Sequence, residues 1–99
     1  MLNIKKEADG SKLTMNLEGR LDTTTAPQLE EEVKGSLANV TELVMNIGEL
    51  QYISSAGLRV LLSAQKTMNK QGSMVVKNAS DEVKEIFDVT GFSDILTIE

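Results

Sequence analysis

The chain has 99 residues, 40% apolar and 25% charged, which suits one small globular core with little room for an enclosed active site. The formal net charge is −5 and the lysines are scattered, which argues against nucleic acid as a direct partner, because phosphate binding needs clustered cations. Histidine and cysteine are both absent, which excludes disulfides, thiolate chemistry, the usual general base and the commonest metal ligand.

No stretch is long and apolar enough to span a bilayer. The start, Met1-Leu2-Asn3-Ile4-Lys5-Lys6, lacks the apolar run and small-residue site of a signal peptide. Cytoplasmic residence without membrane contact is the expectation. No repeat, linker or low-complexity tract divides the chain, so residues 1–99 are expected to form one domain holding neither metal nor cofactor.

Residues 2 to 7 alternate loosely, and Asp9-Gly10-Ser11 is a turn signal. Leu13, Met15 and Leu17 alternate with Thr14 and Asn16, so the two runs predict a β-hairpin. Thr25-Ala26-Pro27-Gln28 fits a capping box, with Thr25 as N-cap, Gln28 three residues on and Pro27 in the first turn. Leu29, Val33 and Leu37 then form the apolar stripe of a first helix, and Glu30, Glu31 and Glu32 are expected to complement its positive end.

Leu43-Val44-Met45-Asn46-Ile47 is a nearly continuous apolar run, which predicts a strand covered on both faces. Asn46 inside it must find hydrogen bonds and is expected to brace the loop that follows. That loop, Gly48 to Gly57, leads into a second helix carrying Leu58, Leu61, Leu62, Gln65 and Met68 and closed by Gln71-Gly72. Met74-Val75-Val76 reads as another buried strand. Ser80-Asp81-Glu82 opens a third helix with Val83, Ile86 and Phe87 inward and Gly91 as its cap. Ile95, Leu96 and Ile98 form a weak last strand or tail. The methionines at 15, 45, 68 and 74 fall on apolar faces and belong to the core.

The order β-β-α-β-α-β-α predicts an α/β fold. Its mixed sheet has four to five strands, with helices packed mainly on one face. The connection over residues 43–77 is expected to be a right-handed parallel crossover.

The loop before the second helix carries the most functional information. Ligands and partners bind at that edge of open α/β sheets. Ser54 and Ser55 stand at the helix start, where free N–H groups favour negative charge. Either serine suits an N-cap, and local sequence alone favours that reading. A nucleophile is disfavoured, since the G-x-S-x-G pattern and histidine are missing. A phosphoacceptor is the third reading.

Tyr52-Ile53-Ser54-Ser55-Ala56-Gly57-Leu58-Arg59-Val60-Leu61-Leu62 resembles the signature of anti-sigma factor antagonists, the STAS domain family. Gly19-Arg20-Leu21-Asp22-Thr23-Thr24-Thr25-Ala26 resembles the second landmark of that family, the loop after the hairpin. The remaining strands and helices match in order, so the resemblance runs through nearly the whole chain and implies a STAS-type fold.

What the resemblance implies is partner switching, not enzymatic activity. The unphosphorylated domain would bind an anti-sigma factor that is also a serine kinase, and so free a sigma factor. The kinase, which binds the ATP, would then phosphorylate the serine before x-Gly-Leu, which is Ser55 rather than Ser54, and a serine phosphatase would reset it. Ser54 stands where the family often has aspartate. The resemblance places Asp22, Thr23, Thr24, Ser54, Ser55, Ala56, Gly57 and Arg59 at the partner surface of a protein that is monomeric when free. Asp22 also suits a turn or cap, Gly57 close helix–sheet packing, and Arg59 an ordinary exposed position one turn after Ser55. The alternative is a STAS domain serving unphosphorylated as a scaffold or subunit of another regulatory or transport assembly.

Overall fold

The computed structural model describes residues 2–99. Strands β1 (Leu2–Asp9) and β2 (Lys12–Leu21) form the expected antiparallel hairpin, in register from Leu2↔Gly19 to Asp9↔Lys12. Gly10 makes its turn at φ +62°, where a side chain would be strained. Helix α1 (Ala26–Ser36), strand β3 (Glu42–Ile53), helix α2 (Ser55–Gln71), strand β4 (Ser73–Lys77) and helix α3 (Asp81–Thr90) follow. A 3-10 turn occupies Phe92–Asp94.

The sheet order is β1-β2-β3-β4. β2 pairs with β3, and β3 with β4, in parallel, so the sheet is mixed as expected. The cross-strand rows Leu13–Leu43–Met74 and Met15–Met45–Val76 are buried. The alternate rows, Thr14–Val44–Val75 and Asn16–Asn46–Lys77, are half-buried or exposed. Because side chains alternate across a strand, the helices cover one face only. The expectation that β3 is covered on both faces is therefore corrected. Its apolar residue Val44 lies on the open face, and so does Asn46.

All buried apolar side chains join one core cluster, in which Leu29 and Val33 of α1, Leu61 and Met68 of α2, and Val83 and Phe87 of α3 meet the sheet. The four methionines at 15, 45, 68 and 74 are fully buried. Helix α3 is bounded as expected: Ser80 Oγ accepts a hydrogen bond from Val83 N at 3.2 Å, and Gly91 takes the left-handed conformation at φ +82°.

The last segment is the tail that the sequence allowed, with a single parallel bridge, Val76↔Ile98, after the 3-10 turn. Two local expectations fail. Strand β3 runs to Ile53 rather than ending near Ile47. Gly19, at φ +107°, lies at an irregularity in the β2–β3 register, beyond which Arg20↔Tyr52 and Leu21↔Ile53 pair. The glutamates Glu30 to Glu32 lie beyond the first turn of α1. Glu30 pairs with Lys34 at 3.0 Å and Glu32 with Lys6 at 2.6 Å instead.

Candidate functional site

The ends of β2 and β3 carry the two landmark loops side by side. Leu21 pairs with Ile53, and Ser54 N donates to Leu21 O at 2.9 Å. The chain then turns directly into α2, with Ser54 as N-cap in extended conformation and Ser55 as the first helical residue. Asp22, Thr23 and Thr24 follow Leu21, so both loops emerge at one sheet edge.

The two serines differ in environment. Ser55 is exposed. The Ser54 hydroxyl oxygen is enclosed and has no hydrogen-bond partner among the described residues. Ser54 therefore caps α2 by position and not by its side chain. Of the two hydroxyls, Ser55 is the one a second protein can reach.

Asp22 organises the neighbouring loop. Its Oδ1 accepts from Thr24 Oγ1 at 2.7 Å, Thr24 N at 3.0 Å and Thr25 N at 3.2 Å. Thr25 Oγ1 accepts from Asp22 N and donates to Arg20 O, both at 2.8 Å. Thr25 is the N-cap residue of α1 but makes no side-chain cap bond, and Gln28 Nε2 reaches Leu2 O at 3.1 Å. The capping box is thus corrected to an aspartate-centred turn. Thr23 and Thr24 are exposed.

The hydrogen bond from the Thr24 hydroxyl is the main reason the Asp22 carboxyl is held below the usual aspartate range, with the Thr24 and Thr25 amides adding to it. A depressed folded pKa means that the ionised turn stabilises the fold fully above the unfolded value of about 4. That contribution is lost as pH falls through the lower folded value. Urea titrations across the acid range are therefore expected to show a midpoint that falls more steeply for wild type than for Asp22→Asn. Parallel acid profiles for the two proteins would contradict the assignment.

Arg20 and Tyr52 were not singled out in the sequence, yet they flank this edge. The Arg20 guanidinium carbon lies 4.6 Å from the Tyr52 ring centroid, and Nε is 3.7 Å from Asp22 Oδ2. Tyr52 is 38% exposed, a large side chain left open beside Asp22. Their signal was present in both landmark segments but needed the β2–β3 register to be seen.

Gly57 faces inward. A Cβ there would lie 2.6 Å from Leu21 Cγ and 3.0 Å from Ile53 Cγ1. The glycine lets α2 approach the ends of β2 and β3, which seats Ser55 beside the Asp22 loop. Ala56 is half-buried, and Arg59 is exposed with no ion pair among the described residues. Asn46 lies apart from this site. It donates to Asn16 Oδ1 at 2.8 Å and accepts from Gly48 N and Asn78 Nδ2, each at 3.1 Å, so it braces the open face and not the serine turn. Among the described residues no group of acidic side chains is placed to hold a metal ion, and no helix is long and apolar enough to cross a membrane.

The arrangement is a shallow surface at the ends of β2 and β3, with the exposed Ser55 hydroxyl beside a structured aspartate turn. It defines an α/β domain whose two landmark loops form one accessible edge. Comparison with known proteins places that domain. The STAS domain profile matches residues 3–99. An anti-sigma-B factor antagonist of Listeria monocytogenes is 32% identical over 98 residues, covering 95% of this chain and 84% of that protein. An anti-sigma factor antagonist from Mycobacterium paratuberculosis has the same fold, with TM-score 0.90 at 19% identity over 99% of this chain and 85% of that one. The antagonist SpoIIAA superposes with TM-score 0.76 at 16% identity in its unphosphorylated form, covering 100% of this chain and 87% of that one. Its phosphorylated form superposes with TM-score 0.75 at 17% identity, covering 100% and 91%. The chain belongs to the STAS domain family, among the anti-sigma factor antagonists.

Proposed function

We infer that this protein binds an anti-sigma factor through the edge formed by Asp22, Thr23, Thr24, Ser54, Ser55, Ala56 and Arg59, with Gly57 packed beneath it, and so releases a sigma factor. The partner is a serine kinase that brings its own Mg-ATP, and this chain holds no cofactor. Phosphorylation of Ser55 ends the interaction, and a serine phosphatase restores it. The cycle runs in the bacterial cytoplasm, on a single-domain protein that is monomeric when free.

The observation that carries this reading is the contrast between an exposed Ser55 and an enclosed Ser54 hydroxyl at the start of α2. Phosphate on Ser55 would sit where free helix N–H groups and the dipole favour an anion, and neither the cap nor the first turn of α2 supplies an acidic residue to oppose it. In an interface the same phosphate, carrying about −1.5 to −2 charges, would have to be desolvated. SpoIIAA keeps this fold in both phosphorylation states, which supports release by local charge rather than by refolding.

Incubation with the cognate kinase and Mg-ATP, followed by mass spectrometry of the peptides, tests the assignment. Phosphate is expected on Ser55 and none on Ser54, with uptake abolished by Ser55→Ala. Uptake on Ser54 would overturn the choice of residue. No uptake on either, from a kinase that binds the protein, would leave a STAS scaffold in place of a switch.

A further inference from the structure

A cleft of about 330 Å³ opens between the N-terminal halves of α1 and α2. Thr23, Ala26, Pro27 and Glu30 line one side, and Ala56, Arg59 and Val60 the other. Its walls mix the small apolar Ala26, Pro27, Ala56 and Val60 with Thr23, Glu30 and Arg59. Glu30 is engaged by Lys34 at 3.0 Å, whereas Arg59 has no carboxylate partner among the described residues. In a chain of net charge −5, this concave surface beside the serine turn therefore presents an unanswered cation.

Arg59 also stands one helical turn after Ser55, which is the first residue of α2. Residues four apart on a helix are neighbours, about 5–6 Å between Cβ atoms. Long helical side chains lean towards the N-terminus, so a guanidinium at position 59 has the reach to meet a phosphate on Ser55. A planar guanidinium binds carboxylate or phosphate through two parallel hydrogen bonds, and its single positive charge is divided when two anions contact it.

We propose that Arg59 receives a carboxylate side chain of the anti-sigma partner in this cleft, and that phosphate on Ser55 captures the same guanidinium within the chain. This rests on the partner-switching reading and adds its chemistry. In the unphosphorylated protein the cation is free, and an aspartate or glutamate of the partner enters between α1 and α2. After phosphorylation the more highly charged, covalently tethered phosphate takes Arg59. The partner carboxylate then loses its counter-ion and faces a phosphate in its place. Release needs only one side chain to change partner.

Two measurements decide the proposal. Phosphoserine is placed at position 55 during translation, so the first needs no kinase. Phosphorus NMR titration is expected to show the second phosphate pKa rising by about half a unit or more in Arg59→Gln, with Arg59→Lys in between. Identical values in wild type and Arg59→Gln would overturn the capture. In the second, unphosphorylated Arg59→Gln is expected to bind the anti-sigma partner about 30-fold more weakly. Arg59→Glu is expected to regain binding against a partner whose entering carboxylate is replaced by arginine. Undiminished binding by Arg59→Gln would overturn the cleft as the carboxylate site. A wild type that binds no anti-sigma factor would instead overturn the functional reading, and the phosphorus titration would still decide the capture.

Discussion

Ser55→Asp is expected to lower affinity for the anti-sigma partner by about 100-fold or more while leaving the fold slightly more stable. The two effects have separate causes. A charge introduced at a desolvated interface position costs about 2–5 kcal/mol, and a 100-fold loss corresponds to about 2.7 kcal/mol. In the free protein the same carboxylate stands at the first residue of α2, where no acidic side chain precedes it. There it stabilises the helix end by about 0.3–1 kcal/mol.

Ser55→Ala gives the reference. Ser54 occupies the N-cap position and Ser55 makes no cap bond, so removing the Ser55 hydroxyl is expected to change stability by less than about 0.5 kcal/mol. Binding by Ser55→Ala should remain within about threefold of wild type, since a single exposed hydroxyl contributes little at an interface. Calorimetric binding and thermal melts on the three proteins check both signs together. Loss of binding with loss of stability would point to damage, not switching. Equal affinity for wild type and Ser55→Asp would sink the switch.

The sheet and helix order was legible because its apolar spacing is local. Leu13, Met15 and Leu17 alternate, and Leu29 and Val33 repeat at helical spacing, without reference to any other element. The far half of β3 was not. There Ile47, Leu50 and Ile53 are buried at a spacing of three, which matches no straight strand. Two register shifts, one between Asn16 and Glu18 and one between Gly19 and Arg20, each give β3 an extra residue and make that spacing possible, and such bulges show only once the two strands are paired. The Arg20–Tyr52 contact was hidden for the same reason, because it exists only once those residues are paired across β2 and β3.

The candidate site was reached by a different route. Helix-start physics favoured either serine, and the family likeness selected Ser55. Its reachable hydroxyl, beside an enclosed Ser54 oxygen, is a tertiary fact that follows from Ser54 N bonding Leu21 O and drawing Ser54 into the sheet edge. The aspartate turn was hidden by chemistry. Asp22 and Thr25 both carry oxygens suited to the same amides, and sequence does not say which oxygen accepts. The resemblance placed Asp22 at the partner surface, and its bonds to Thr24 and Thr25 now account for the shape of that loop.

Gly72→Ala is expected to be the most damaging single-methyl change in the chain. Gly72 ends α2 and precedes β4 in extended backbone that any residue adopts, so its requirement is spatial. A Cβ would lie 1.9 Å from the Thr41 carbonyl oxygen and 2.6 Å from its carbon. Those atoms are backbone and cannot rotate away. Thr41 O also accepts from Ser73 N at 2.9 Å, and Thr41 N donates to Ser11 O at 2.8 Å. Moving it opens the start of the β3–β4 ladder and pulls on the hairpin turn. Overpacking of about 1–3 kcal/mol, with a hydrogen bond worth about 1 kcal/mol, gives a loss of about 2–4 kcal/mol. For a domain of this size that lowers Tm by roughly 8–32 °C. Gly35→Ala makes the opposite case. Gly35 lies inside α1 with nothing within 4 Å of its would-be Cβ, so the same methyl should stabilise by about 0.5–1 kcal/mol. Thermal melts of both variants separate the effects, because the loss of unfolded-chain entropy acts alike at both glycines, whereas the Thr41 contact belongs to Gly72 alone. A Gly72→Ala protein melting within about 3 °C of wild type would show that the α2–β4 turn yields where its packing says it cannot.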